Sequence, residues 1–255
     1  MSAPSPLSLS NRQRAMLRAM GVSWLAPAPA RQPPPVAAAA APAAPIAPAA
    51  PPAPAKVVPV VAMAHGAAAD WAAHLAQVQA CQACDLARQR AAVLLAQGEP
   101  TTARWLFVAA HPSSQAEPGL VLPPEQHALW QAMGHALGLP PAAMMLTALT
   151  KCVPAPGHWP GQAHEIACQP HGRDTVALLR PDVVIALGAH VARRLLQLPP
   201  ETPLGALRGQ VHRYDGTPLV VTHALDALLT RHADKAQAWE DLCLAHQACP
   251  PTMAA

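Results

Sequence analysis

At 255 residues, with 52% hydrophobic residues and a formal net charge of +3, the chain is long enough for one large domain or two small ones around a real core. The charge is uneven: the first 60 residues hold Arg12, Arg14, Arg18, Arg31 and Lys56 and no acid, whereas residues 61–255 hold 12 basic and 14 acidic side chains. Bulk charge therefore excludes a strongly basic nucleic-acid-binding body and predicts weak or indirect contact with DNA, a local patch excepted.

Residues 1–20 carry three arginines and no apolar stretch of the kind a secretory signal needs. The Ala-rich run at 36–55 is broken repeatedly by proline, so no membrane span is expected and a soluble, cytoplasmic protein follows. Ser10 can cap a helix running through Arg12 to Met20, with Leu17, Met20 and Trp24 on one face and Gly21 placed to stop it. Such a helix has no core of its own to join, so residues 1–25 read as a partner-binding amphipathic segment. Residues 26–66 form an Ala/Pro-rich disordered linker, with 12 prolines between Pro27 and Pro59. The expected domain is 67–248 and the expected tail 249–255.

Beyond the linker the pattern alternates. Ala67 to Ala96 reads as helical, Trp105 to Ala110 as a strand, Glu125 to Leu137 as a helix and Met144 to Thr150 as a strand. Gln162 to Leu179 is expected as a helix, Asp182 to Leu187 as a buried strand closed by Gly188, and Ala189 to Leu196 as a helix. Two short strands, Gln210 to Tyr214 and Leu219 to Thr222, precede a mostly helical stretch from Asp226 to His246. Alternation of this kind predicts a three-layer α/β/α sandwich with a mostly parallel central sheet. Working loops should then follow the strand ends, around 110–122, 148–154 and 222–228.

Four cysteines are ordered along this pattern: Cys81-Gln-Ala-Cys84, then Cys152 after Lys151, then Cys168 inside a helix. A C-x2-C pair with two distant thiolates can close a four-sulfur metal site, and the missing second short spacing favours an iron–sulfur cluster over zinc. Unrelated buried thiols are the alternative. Cys243 reads as a core thiol and Cys249 as a tail thiol. Trp71, Trp105, Trp130 and Trp239 read as core. Arg193 and Arg194 read as a solvated helical face that could touch phosphate, and the 13 histidines show no ligand pair with an acid at helical spacing.

Over about Cys81 to Ala245 these residues resemble the family-4 uracil-DNA glycosylases. The similarity is carried by Cys81-x-x-Cys84-x-Leu86-x-x-x-Arg90, Lys151-Cys152-Val153-Pro154 and Glu165-Ile166-Ala167-Cys168-x-Pro170. Further matches are Leu178-Leu179-Arg180-Pro181, Val184-Ile185-Ala186-Leu187-Gly188, Leu207-Arg208-Gly209 and Lys235-x-x-x-Trp239-x-Asp241-Leu242. The resemblance implies that fold and a [4Fe–4S] cluster on Cys81, Cys84, Cys152 and Cys168. It also implies what is missing. The family's water-positioning acid loop is matched by Ala109-Ala110-His111-Pro112-Ser113, its stacking Phe by Leu122, its uracil-reading Asn by Ala148 and the His of its His-Pro segment by Ala224. Ala and Leu supply no proton, charge or π face, so no catalytic residues are expected, unless His111 or His223 substitutes. The cluster then becomes a structural staple.

The segment Arg14-Ala-Met-Leu17-Arg-Ala-Met20-Gly21-Val22-Ser-Trp24 is similar to the N-terminus of the psi subunit of bacterial DNA polymerase III, and Ala238 to Cys243 resembles that subunit's last helix. This implies a non-catalytic clamp-loader accessory role, with Leu17, Met20, Gly21 and Trp24 contacting clamp-loader subunits and the body bridging to the chi subunit. The alternative is a divergent family-4 enzyme removing uracil from DNA in base-excision repair.

Overall fold

A computed structural model describes residues 70–249. The expected N-terminal helix with Leu17, Met20, Gly21 and Trp24, and the expected linker at 26–66, lie outside the described residues.

Short, mostly apolar runs set the centre. Strands β2 (Trp105–Ala109), β3 (Met144–Ala148) and β5 (Val183–Leu187) are buried at every position. With β7 (Thr217–Thr222) they form a parallel sheet, and β6 (Val211–Tyr214) closes one edge antiparallel, in the order β3-β2-β5-β7-β6. Strands buried on both faces need no polar alternation, which is why they read as continuous runs. The β6–β7 turn is Asp215-Gly216, both at positive φ, the backbone that a two-residue hairpin requires.

The pleat divides the core in two. Trp105, Phe107, Leu146, Ile185 and Val220 face one side, with Trp130 of α3 (Pro124–Ala136), Leu225 and Leu228 of α7 (Leu225–Thr230) and Leu242 of α8 (Asp234–Ala248). Leu106, Val108, Met145, Val184 and Leu219 face the other, with Val176 of α4 (Gln162–Leu179), Val191 of α5 (Ala189–Leu195) and Leu207 of α6 (Leu204–Leu207). The result is the expected three-layer sandwich. Each large side chain so buried contributes about 1.5–3 kcal/mol.

The first expected helix is shorter than the composition suggested. Helix α1 (Trp71–Ala80), capped by the Asp70 carboxylate accepting from Ala73 N–H at 2.8 Å, stops at Cys81. Arg90 accounts for the stop: its guanidinium donates to the Gln79 and Cys81 carbonyl oxygens at 2.7 and 3.0 Å, satisfying groups that another helical turn would have used. A four-residue helix α2 (Leu86–Gln89) follows, and then β1 (Ala92–Val93), which pairs with β4 (Cys152–Val153) in a separate two-stranded sheet. The expected helix over Asp226 to His246 is split into α7 and α8.

Three side-chain expectations are also corrected. Trp239 is 44% exposed, because α8 packs on the sheet through Ala238, Leu242 and Ala245 and Trp239 sits one position off that stripe. Cys249 is buried against the core and donates to the Asp182 carbonyl oxygen at 2.9 Å, so it is not a tail thiol, while Cys243 is only half-buried. Among the described residues no helix is long and apolar enough to cross a membrane.

Candidate functional site

From β2 the chain runs out to edge strand β3 and then returns across β2 to β5, so the order reverses between β2 and β5. A crevice forms beyond the carboxyl ends of strands at such a point. It is present here as a cavity of about 360 Å³, lined by Ala109, Ala110 and His111 after β2, Leu122, Leu187 at the end of β5, and Ala224 and Leu225 after β7. Gly188 lets the β5 and β7 loops converge: it has φ +98°, and a Cβ there would lie 2.9 Å from the Ala224 Cβ.

Three of the four predicted replacement positions, Ala110, Leu122 and Ala224, thus meet in one cleft. The fourth, Ala148, stands beside Ala109 in the β2–β3 register but lines a neighbouring cavity of about 400 Å³ between the sheet, α4 and α5. The cleft walls are mainly hydrocarbon. Polar side chains enter from Ser113, Gln115, Gln126 and Asp226, and from His111, whose ring meets that of exposed Trp159 edge-on at 5.6 Å. Burial, opposed by a smaller attraction from Glu165, lowers the His111 pKa, so the ring is held neutral. His223 lies outside this lining: its ring is 3.2 Å from Gln237 Oε1 and 3.5 Å from Asp234 Oδ2.

The cysteines gather at another corner. Cys81 and Cys84 follow α1, Cys152 begins β4 and Cys168 lies in α4; all are free, and the last two are buried. Arg90 Nη1, which bonds the Cys81 carbonyl, also donates to Cys152 Sγ at 3.6 Å. Burial raises the Cys84 thiol and pushes Cys168 up to about 12, and in both the nearby charges of Cys81 and Cys152 act in the same direction. Backbone N–H groups of Leu86 and Ala87 donate to Cys84, and that of Lys151 to Cys168. Four free thiols on three elements, with N–H donors directed at the sulfurs and two cations alongside, fit the donor chemistry of a cluster carrying net negative charge.

Lys151 is the second cation and is fully buried. Its ammonium donates to Thr147 Oγ1 and the Ala148 carbonyl at 2.6 and 2.7 Å, and burial lowers its pKa to about 8 against the pull of Cys168. His164 ties the adjoining loops: Nδ1 accepts from Gly161 N–H at 2.8 Å, so Nε2 carries the proton and donates to Asp85 at 2.6 Å.

Arg193 and Arg194 are not a free phosphate-binding face. Arg194 and His190 bracket the buried Glu165 at 2.6 Å each, and Arg193 bonds the carbonyl oxygens of Ala189 and Pro200. One cluster escaped the sequence reading: His171 and Asp174, one turn apart on α4, meet His74 of α1. The spacing His171-x-x-Asp174 was the available signal, but its partner lies 97 positions earlier.

The Uracil DNA glycosylase superfamily is the family whose model matches, over residues 95–243. No curated protein matches the chain.

Proposed function

Because the chain belongs to the uracil DNA glycosylase superfamily, we propose that it uses that fold without its chemistry. On this reading it is a replication accessory subunit of the psi type, stapled by a [4Fe–4S] cluster. One observation carries the proposal: the cleft at the strand ends presents Ala110, Leu122 and Ala224 where base excision needs an acid, a π face and a hydrogen-bonding ring. Excising a base requires it to be flipped, gripped, stacked and attacked by a positioned water while charge develops on the leaving group. Loss of one such group costs about two to three decades in rate, so the combined loss leaves little to measure.

The cluster would be held by Cys81, Cys84, Cys152 and Cys168, and when bound it would cross-link the segment after α1 to the sheet and to α4. Arg90 orients that corner by bonding both its backbone and Cys152, and Lys151 places a buried positive charge beside Cys168. Activity then resides in contacts: Leu17, Met20, Gly21 and Trp24 dock on clamp-loader subunits, and the body bridges to the chi subunit. The resemblance of Arg14 to Trp24 to the psi N-terminus supports this, as does the acidic balance of residues 61–255, which disfavours tight DNA binding.

A second reading rests on His111, a neutral imidazole in the cleft that could move a proton: a divergent glycosylase acting on uracil in DNA. One experiment separates the two. Cluster-loaded protein is incubated with uracil-containing oligonucleotides and assayed for free uracil, and the full chain is tested for capture by clamp-loader subunits. The accessory reading expects no release and capture that is lost in Trp24→Ala. Release that disappears in His111→Ala overturns it.

A further inference from the structure

Helices α1 and α4 meet at a second set of metal-type side chains, one used by neither the cleft nor the cysteines. His74 and His171 are 0% and 1% exposed, and one ligand atom from each lies within 4.8 Å of the others and of one from Asp174. We propose that His74, His171 and Asp174 form a mononuclear site for a first-row divalent cation of the Zn2+ type, distinct from the four-thiol corner.

The hydrogen bonds around His74 carry the argument. Thr175 Oγ1 donates to the His171 carbonyl oxygen at 2.7 Å; a carbonyl can only accept, so the hydroxyl proton is committed there. The same Oγ1 lies 3.1 Å from His74 Nε2, which must then be the N–H donor. A neutral imidazole protonated at Nε2 carries its lone pair on Nδ1, and Nδ1 faces Asp174 Oδ2 at 4.0 Å. Two acceptors thus confront each other out of solvent, and neither has a hydrogen-bond partner among the described residues. Buried acceptors left in this state cost free energy that a cation between them would recover.

The donor set suits the ion. Two imidazoles and a carboxylate bind zinc-type cations at about 2.0–2.2 Å, so the facing atoms need to close by only roughly half an ångström. Thr175 supplies the hydrogen bond that fixes the orientation and tautomer of a ligating histidine. Asp174 also lines a surface cavity of about 370 Å³ with Arg173, Arg180 and Asp215, which gives the ion a way in. A cation held there would clamp α1, the helix that ends at Cys81, onto α4, the helix that carries Cys168.

The test titrates the full, iron-loaded chain with Co2+ after treatment with a chelator too weak to remove iron. One Co2+ per chain is expected, with the visible ligand-field bands of a nitrogen–oxygen site and without sulfur-to-cobalt charge transfer, and Zn2+ should displace it. Asp174→Asn, which preserves side-chain size, should weaken Co2+ binding at least about tenfold while iron content and near-ultraviolet circular dichroism stay unchanged. His74→Ala should abolish binding. A chain that takes up no Co2+, a charge-transfer band that places the metal on cysteine, or unchanged affinity in Asp174→Asn would each overturn the proposal. None of these outcomes depends on glycosylase activity or on clamp-loader binding.

Discussion

Two regions of one sandwich have opposite characters. At the strand ends the cleft is lined by Ala110, Leu122, Leu187 and Ala224 together with His111, Ser113, Gln115, Gln126 and Asp226. At the corner formed by the segment after α1, β4 and α4 lie four thiols, a fully buried lysine and Arg90, and two buried histidines stand separately between α1 and α4. Buried polar groups cost free energy unless they are paired. The cleft is lined largely by Ala, Leu and Pro side chains, and His111 and Asp226 are the titratable groups in that lining. The proposed function rests on this contrast between the two regions.

The strongest way to break that comparison is to remove a sulfur. On the proposed cluster assignment, Cys168→Ser should abolish most of the bound iron and its visible absorption, and should lower the melting temperature of the whole domain by many degrees, because a metal that binds only the folded chain contributes its binding energy to folding. Iron quantitation and thermal melts check this. Full iron content in the variant would mean that the thiols are merely packed.

A smaller effect is expected where neither region is touched. Arg208 donates from Nε to Asp241 at 2.7 Å, and Asp241 is 1% exposed. Arg208→Ala strands a buried carboxylate and should cost about 3–5 kcal/mol in urea unfolding, with iron content unchanged. If iron is lost as well, the corner and the cleft half are not energetically separate. This pair also explains why Leu207-Arg208-Gly209 and the Asp241-Leu242 segment stand out together in the sequence: they are two halves of one contact.

How far such features are legible before the fold is known depends on how local they are. The strands Trp105–Ala109, Met144–Ala148 and Val183–Leu187 announce themselves because burial on both faces favours nearly continuous apolar runs, with Thr147 the one polar residue. The end of α1 does not, because the group that terminates it is Arg90, nine residues beyond Cys81. Ala110, Leu122 and Ala224 can be placed in one cleft from their positions after strands, yet Ala148, at the end of the edge strand, lines a different cavity although it shares a core face with Ala109. The His74, His171 and Asp174 group needs a helix pairing that no composition encodes. Trp239 is misread because a one-residue offset on a helix turns a side chain out to solvent.

The cleft can be opened from its backbone. Gly188 is at φ +98° with the Ala224 Cβ only 2.9 Å from where its own would go, so Gly188→Ala should cost about 1–3 kcal/mol through strain and by forcing the β5 and β7 loops apart. Urea unfolding measures it. A neutral result would show that the two loops move independently and that the cleft has no fixed shape, which would remove the basis for reading its lining as the end of catalysis.

The gentlest probe is protonation of the cleft itself. Burial holds the His111 pKa below its ordinary 6.5, with Glu165 pulling the other way and His190 adding to the depression. The folded chain therefore prefers the neutral ring, and the unfolded chain takes up the proton first as pH falls. His111 then contributes stability that is fully present above 6.5 and lost as pH drops from there through the lower folded value. In His111→Gln the urea midpoint should depend less on pH over that interval than in the parent chain, while above it the two should run parallel. If the variant keeps the full slope, His111 is solvated rather than enclosed. The cleft would then be wetter than its hydrocarbon walls imply, and the contrast with the cysteine corner would narrow accordingly.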